Sequence, residues 1–416
     1  MRIIDADGHV LERDIPWAEL LEEPYRSRAP RSVKDNRGFN FVMIDGKLTP
    51  KPVGKGCSFV GAPRSRNPQP TTGMTDPVQR LKDMDLEGID TAVLFGTSPF
   101  LSLPFVEDKD LACVVARVYN NWLAEYCKAD ARRLKGVAAV AIQDPVESVK
   151  ELRRAVEELK FVAVAAPPVS ASKKNLDDPD LYPFFAEAER LNVPICIHVG
   201  AGDGVPAGTE RFDHPFFTHA MAHPFEQMIA TLCVVAGGLL ERFPRLKFAF
   251  MEAGCGWVPY WMERLDEHYE ILQPTVPWLT KPPSEYMKSG QMFYSFEMEE
   301  KMLPYVAEFV GAERLVFRRA LGLRHRLQPQ RLQVPPHRRG SDGAQRFVRR
   351  AENQDHGRER GEALQPVMTA ERIAAIRELN ASDVLSNHVR FSLLSDNLSP
   401  YRSPHKQSLS LAATVA

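Results

Sequence analysis

From residue 76 to residue 317, short apolar runs rich in β-branched residues alternate with stretches whose apolar positions recur every three or four residues. This is the pattern of repeated strand–helix units. Eight runs read as strands: "RIIDAD" (2–7), "DTAVLFG" (90–96), "LKGVAAVAI" (134–142), "FVAVAAP" (161–167), "VPICIHVG" (193–200), "LKFAFMEAG" (246–254), "QMFYSFE" (291–297) and "ERLVF" (313–317). Helical segments lie between them. In "DPVESVKELRRAVEEL" (144–159), Asp144 can cap the helix and Pro145 suits its first turn. Eight near-continuously apolar strands separated by helices predict an α/β fold: a closed parallel (β/α)8 barrel of the TIM type, with the helices outside. The rival, an open doubly wound sheet, lacks its Gly-rich GxGxxG turn after the first strand. Residues 26–75 are rich in Pro, Gly, Arg and Ser and have no periodicity, so they read as a long insertion after the first strand.

Composition narrows the class. Of 416 residues, 44% are hydrophobic and 26% charged, which suits a soluble protein with a large core. A net charge of -1 gives no global attraction to nucleic acid or acidic lipid, so neither is expected as a partner. Six scattered cysteines without a CxxC pair read as reduced thiols and favour the cytoplasm. The N-terminus carries no apolar stretch of signal-peptide length, and no apolar run is long enough to span a bilayer.

In a barrel of this kind chemistry sits where strands end. Asp7 and His9 in "DADGH" lie two residues apart at the end of the first strand, so both side chains point toward the barrel axis. A carboxylate and an imidazole placed side by side can share a divalent cation, or form a loop hydrogen-bond network. His198, one polar side chain delivered by the apolar strand "ICIH" into Gly-rich backbone, supplies a third ligand. A mixed oxygen and nitrogen set suits Zn²⁺ or Mn²⁺. Glu252 emerges from the sixth strand as a candidate base. His219 and His223 are four apart in "HPFFTHAMAHPFEQ", where they offer a second site or substrate contacts, or merely a solvated helix start with Pro224 in its first turn. Trp257 is a candidate substrate contact, although its spacing from Tyr260 and Trp261 suits helix packing.

The runs "IIDADGHVLE", "DPVQRLKDMDLEGIDTAVLF", "HPFEQMIATLCVVAGGLLERFPRLKFAFMEAGCGWVPYWMERLDEHYE" and "LPYVAEFVGAERLVF" together resemble the amidohydrolase-related family that includes aminocarboxymuconate semialdehyde decarboxylase and γ-resorcylate decarboxylase. The resemblance covers residues 1–317. It implies a metal-dependent barrel that hydrolyses or non-oxidatively decarboxylates a small carboxylate or cyclic substrate, and a possible homodimer. By that resemblance Asp7, His9 and His198 map onto ligand positions. Glu252 stands where many relatives place a catalytic His, which leaves the identity of the base open, with His223 as the second catalytic candidate and His219 as a substrate contact.

The resemblance stops abruptly. Relatives carry a metal-binding Asp just after the eighth strand, in a segment like F-x-S-D-x-P-H-W; here Phe317 is followed by Arg318, Arg319 and Ala320. Residues 318–364 contain twelve Arg and no Lys, Ile, Met, Tyr or Trp. Shifting the reading frame by one base lets 352–364 read as K-I-R-T-M-G-A-N-A-E-K-H, and 320–336 as a string containing H-W-A-S-D. Both resemble family segments. The expectation is a barrel over 1–317, incomplete after its eighth strand, and a frameshifted, poorly ordered tail over 318–416. Such a chain should be poorly soluble and retain metal weakly. The alternative to an active enzyme is a catalytically impaired remnant, or a binding protein that keeps the pocket.

Overall fold

The computed structural model describes residues 3–36, 38–58, 72–198 and 207–318. The expected tail therefore lies outside the described residues apart from Arg318, as does the 59–71 part of the insertion. Eleven strands are described: β1 (Ile4–His9), β2 (Arg31–Lys34), β3 (Asn40–Ile44), β4 (Lys47–Thr49), β5 (Thr91–Phe95), β6 (Leu134–Ala138), β7 (Ala163–Ala166), β8 (Ile195–Ile197), β9 (Phe248–Phe250), β10 (Met292–Phe296) and β11 (Leu315–Phe317). Eight of them form one parallel sheet in the order β1-β5-β6-β7-β8-β9-β10-β11. β11 returns beside β1, and among the described residues no ladder joins the two. The result is a nearly closed TIM-type barrel, as the strand count predicts. The ladders are shorter than the apolar runs because the ends of those runs leave the sheet and carry the polar side chains described below.

The barrel closes on large side chains. Phe95, Phe248, Phe250, Tyr294, Phe296 and Phe317 are all buried at the strands, and burying each such ring is worth about 2–3 kcal/mol. Helices cover the outside. The predicted helix spans Pro145–Glu157, and the Asp144 carboxylate accepts from the Val146 and Glu147 amides. The longest helix, Pro215–Ala236, begins at His214, with Pro215 at its first position. Pro224 therefore lies inside that helix, contrary to the expectation that it marks the start.

The insertion is more ordered than its composition implies. β2, β3 and β4 form a three-stranded antiparallel sheet whose central strand buries Phe41, Val42 and Ile44. Arg28 binds Asp45 at 2.6 Å and Asp108 at 2.8 Å, tying the sheet to the cap of the helix Lys109–Cys127. The Gly56 amide donates to the Phe212 carbonyl, so the insertion also reaches the segment that follows β8.

Candidate metal centre

Five strands, β1, β8, β9, β10 and β11, deliver charged or imidazole side chains to one end of the barrel. β1 does so through a local irregularity: its register against β5 slips between Asp5 and Gly8. An extra residue there re-aims the side chains around it. Gly8 suits this close approach, because a Cβ would stand 3.2 Å from the Val93 carbonyl oxygen and would displace the end of Arg80, whose Nη2 would lie 2.6 Å away. Asp7 and His9 thereby end with Oδ1 and Nε2 3.5 Å apart, both side chains almost fully buried. His198, directly beyond β8, places Nε2 3.5 Å from the same Asp7 oxygen and 3.2 Å from His9 Nε2.

These spacings test whether a cation fits. A tetrahedral ion with bonds of about 2.1 Å holds its ligands about 3.4 Å apart, and three donor atoms here lie at 3.2–3.5 Å. Neither Asp7 oxygen accepts a well-directed hydrogen bond among the described residues, so this buried carboxylate is compensated by nearby charge and keeps lone pairs that a divalent ion could use. His9 is oriented for ligation: Nδ1 lies 2.9 Å from the Gly96 carbonyl oxygen, so it donates there and leaves the Nε2 lone pair facing Asp7 and His198. Glu12, buried beneath, accepts from the Thr97 and Ser98 amides and holds the loop that presents Gly96. The donor set Asp7, His9, His198 fits a divalent ion.

Glu252 lies at the rim, 3.9 Å from His9 Nε2 and 3.5 Å from His198 Nε2. Its φ of 65° is in the left-handed region, unfavourable for a non-glycine residue and frequent at functional sites. The Ser295 hydroxyl accepts its amide at 2.9 Å and helps hold that conformation. His223 reaches Glu252 at 3.7 Å from the helix Pro215–Ala236, and its ring lies 4.6 Å from that of the exposed His219, tilted by 33°. The structure does not bring Trp257 into this group. Its ring packs among Phe250 and Tyr294, and its N–H donates to the Gly254 carbonyl.

Three participants were not singled out from the sequence. Gln227 donates from Nε2 to the Ile197 and Met251 carbonyls, both at 2.8 Å, and so ties together the strand ends that carry His198 and Glu252. A polar residue on an otherwise apolar helix stretch, "EQMIATLCVVA", was its only signal. Glu297 follows β10 as Glu252 follows β9, a parallel visible in "MFYSFE". Arg318 was assigned to the tail, yet its amide donates to the Phe296 carbonyl and continues the β10–β11 ladder. Its guanidinium lies 2.9 Å from Asp7 Oδ2, 2.7 Å from Glu252 Oε1 and 2.5 Å from Glu297 Oε1. Burial alone would raise the carboxyls of Asp7 and Glu252, but Arg318 and the neighbouring imidazoles hold both well below the usual range. For His198, burial opposes protonation, and Glu252 and Asp7 outweigh it, so its pKa is raised.

The sequence profile of the amidohydrolase family matches residues 4–317. This chain belongs to that family. By family it is a metal-dependent hydrolase or carboxy-lyase of the amidohydrolase superfamily, whose relatives act on small carboxylates. A γ-resorcylate decarboxylase of Rhizobium sp. (strain MTP-10005) is 30% identical over 257 residues, spanning 57% of this chain and 74% of that protein. The 2-amino-3-carboxymuconate-6-semialdehyde decarboxylase of Dictyostelium discoideum is 27% identical over 243 residues, 58% of this chain and 65% of that protein. Among solved structures, a dihydroxybenzoic acid decarboxylase from Polaromonas sp. JS666 with bound manganese matches with a TM-score of 0.52 at 21% identity, over 76% of this chain and 86% of that one. A 2,6-dihydroxybenzoate decarboxylase in complex with 2,6-dihydroxybenzoate matches with a TM-score of 0.53 at 22% identity, over 76% and 88%. Likeness at this level of identity carries the barrel fold.

Proposed function

We propose that this chain is built for metal-assisted, non-oxidative decarboxylation of a small aromatic carboxylate, with Mn²⁺ held by Asp7, His9 and His198. One observation carries the choice of substrate. A small apolar pocket lies against His198, walled by Phe100, Leu103, Ala139, Val140 and Ala165 among others. An apolar wall of this kind beside the ligand cluster suits packing against a ring whose charged end faces the metal, once side chains such as Phe100 and Leu103 give way to it. The manganese bound by one related barrel and the 2,6-dihydroxybenzoate bound by another support the same reading.

The bound ion would polarise the substrate's oxygen substituents. The protein's share is to orient the ring, exclude water and supply a proton. Decarboxylation breaks the bond between ring and carboxylate carbon, the electron pair stays on the ring, and that ring carbon takes up a proton. His223 is the proposed proton carrier, because it is 16% exposed at the rim and can exchange with solvent, and the ionised Glu252 that faces it is its proposed base partner, orienting the imidazole. His219, beside His223, is the proposed outer contact for substrate. Trp257 receives only a packing role.

A second reading is favoured by Arg318: a chain that keeps the pocket but has lost turnover, since Phe317 is followed by Arg318, Arg319 and Ala320 in place of the x-S-D of the resembled segment, and a cationic side chain reaches into the centre. The family match ends at residue 317, which supports assigning the barrel to 1–317 and residues 318–416 to a frameshifted tail. Six free cysteines among the described residues support a cytoplasmic setting, and no described helix is long and apolar enough to cross a membrane. A homodimer is proposed from family habit alone.

The deciding assay loads the protein with Mn²⁺ and follows CO₂ release from 2,6-dihydroxybenzoate and 5-carboxyvanillate beside hydrolysis of lactones and amides. CO₂ release that is lost on chelation is expected. Hydrolysis without CO₂ release refutes the decarboxylase reading, and no turnover alongside intact metal binding supports the impaired one.

A further inference from the structure

We infer that Arg318 is an internal competitor for the metal, a tethered cation that occupies the carboxylate side of the centre and sets how tightly a divalent ion is held. The inference rests on the metal-centre reading above. Its basis is the way Asp7 is divided: Oδ1 faces the two imidazoles at 3.5 Å, and Oδ2 faces Arg318 Nε at 2.9 Å. One carboxylate thus serves both the site that fits an ion and a side chain that is already a cation.

Arg318 is not arranged to receive a substrate carboxylate. Each of its three guanidinium nitrogens faces a protein carboxylate, from Asp7, Glu252 and Glu297, and its side chain is 12% exposed. Nor is it held by ideal hydrogen bonds throughout, since Nε makes none of good geometry although Asp7 lies within reach. The contact is mainly Coulombic, which is the kind of interaction a divalent ion can displace. Guanidinium stays charged at every working pH, so a divalent ion must either bind beside a fixed positive charge or drive Arg318 out of its clamp. Both routes weaken binding. A neutral side chain of similar length removes the competition and leaves the three ligands in place.

The test uses the full chain, stripped with chelator and titrated with MnCl₂ while free Mn²⁺ is read by electron paramagnetic resonance. Arg318→Met should bind Mn²⁺ at least about tenfold more tightly than the parent, the effect of removing a like charge a few ångströms away. Arg318→Lys, which keeps the charge, should bind like the parent, and adding His198→Ala to Arg318→Met should erase the gain. If Arg318→Met folds poorly without metal, the Mn²⁺-induced rise in Tm reads the same competition and should exceed that of the parent. Equal Mn²⁺ affinity in the parent and Arg318→Met, abolished in both by His198→Ala, overturns the competitor role and leaves the metal centre standing. No binding by any of these proteins overturns both.

Discussion

Among the arginine–carboxylate contacts of this molecule, those of Glu187 and Asp7 are built to opposite ends. Glu187, on the helix Tyr182–Leu191, accepts from Arg190 through both nitrogens of a fork at 2.9 and 2.7 Å, and from Arg153 of the helix Pro145–Glu157 at 2.8 Å. Both its oxygens are satisfied, and its arginines are about half exposed. Asp7 sits with no exposure, neither oxygen accepts a well-directed hydrogen bond, and its arginine is 12% exposed. A satisfied pair at a helix–helix seam is a clamp. An unsatisfied carboxylate ringed by imidazoles is a place for a ligand, and its partner arginine occupies that place without completing it.

The sharpest test of the contrast is at the rim of the unsatisfied cluster. Glu252→Gln should lower CO₂ release at least about a hundredfold, the usual range for losing a general acid–base group, with Mn²⁺ binding retained; unchanged turnover in steady-state assays would remove Glu252 from the chemistry. Asp7→Asn should weaken Mn²⁺ at least about a hundredfold by equilibrium dialysis, beyond the loss typical of outer contacts. A variant that binds normally would show that Asp7 belongs with Glu187 as a structural carboxylate. Glu187→Gln should leave Mn²⁺ binding and turnover unchanged and cost about 1 kcal/mol in urea unfolding, a value kept low by the exposure of its arginines.

The smallest effect is a pH dependence of that clamp. Arg190 above all, against the opposing effect of partial burial and with help from Arg153, holds the Glu187 carboxyl down at about 2, from an ordinary value of 4.5. Because the folded-state value is depressed, the clamp's contribution is fully present above pH 4.5 and is lost as pH falls toward 2. The stability gap between the parent and Glu187→Gln should therefore narrow between pH 5 and pH 3, and a constant gap would mean the arginines do not act through charge.

The eight strands were legible because a barrel strand buried on both faces must be almost wholly apolar, and the polar residues that end those runs marked Asp7, His9, His198 and Glu252. The three-stranded sheet of the insertion was not legible. Only β3 buries a hydrophobic face, and β2 and β4 carry little periodic signal. Gln227 shows the limit: a helix residue's neighbours across the barrel wall are not written in its local spacing, so its ties to the strand ends are visible only in the structure, whereas the packing of Trp257 agrees with the helical spacing of Trp257, Tyr260 and Trp261.

By itself the amino-acid sequence determined the number, order and polarity of the barrel strands, and hence which side chains reach one end of it, because periodicity is a local property of the chain. Only the tertiary structure decided that Asp7 offers one oxygen to two imidazoles and the other to Arg318. That outcome depends on where strands far apart in sequence end relative to one another, and on charges that act across space and not along the chain.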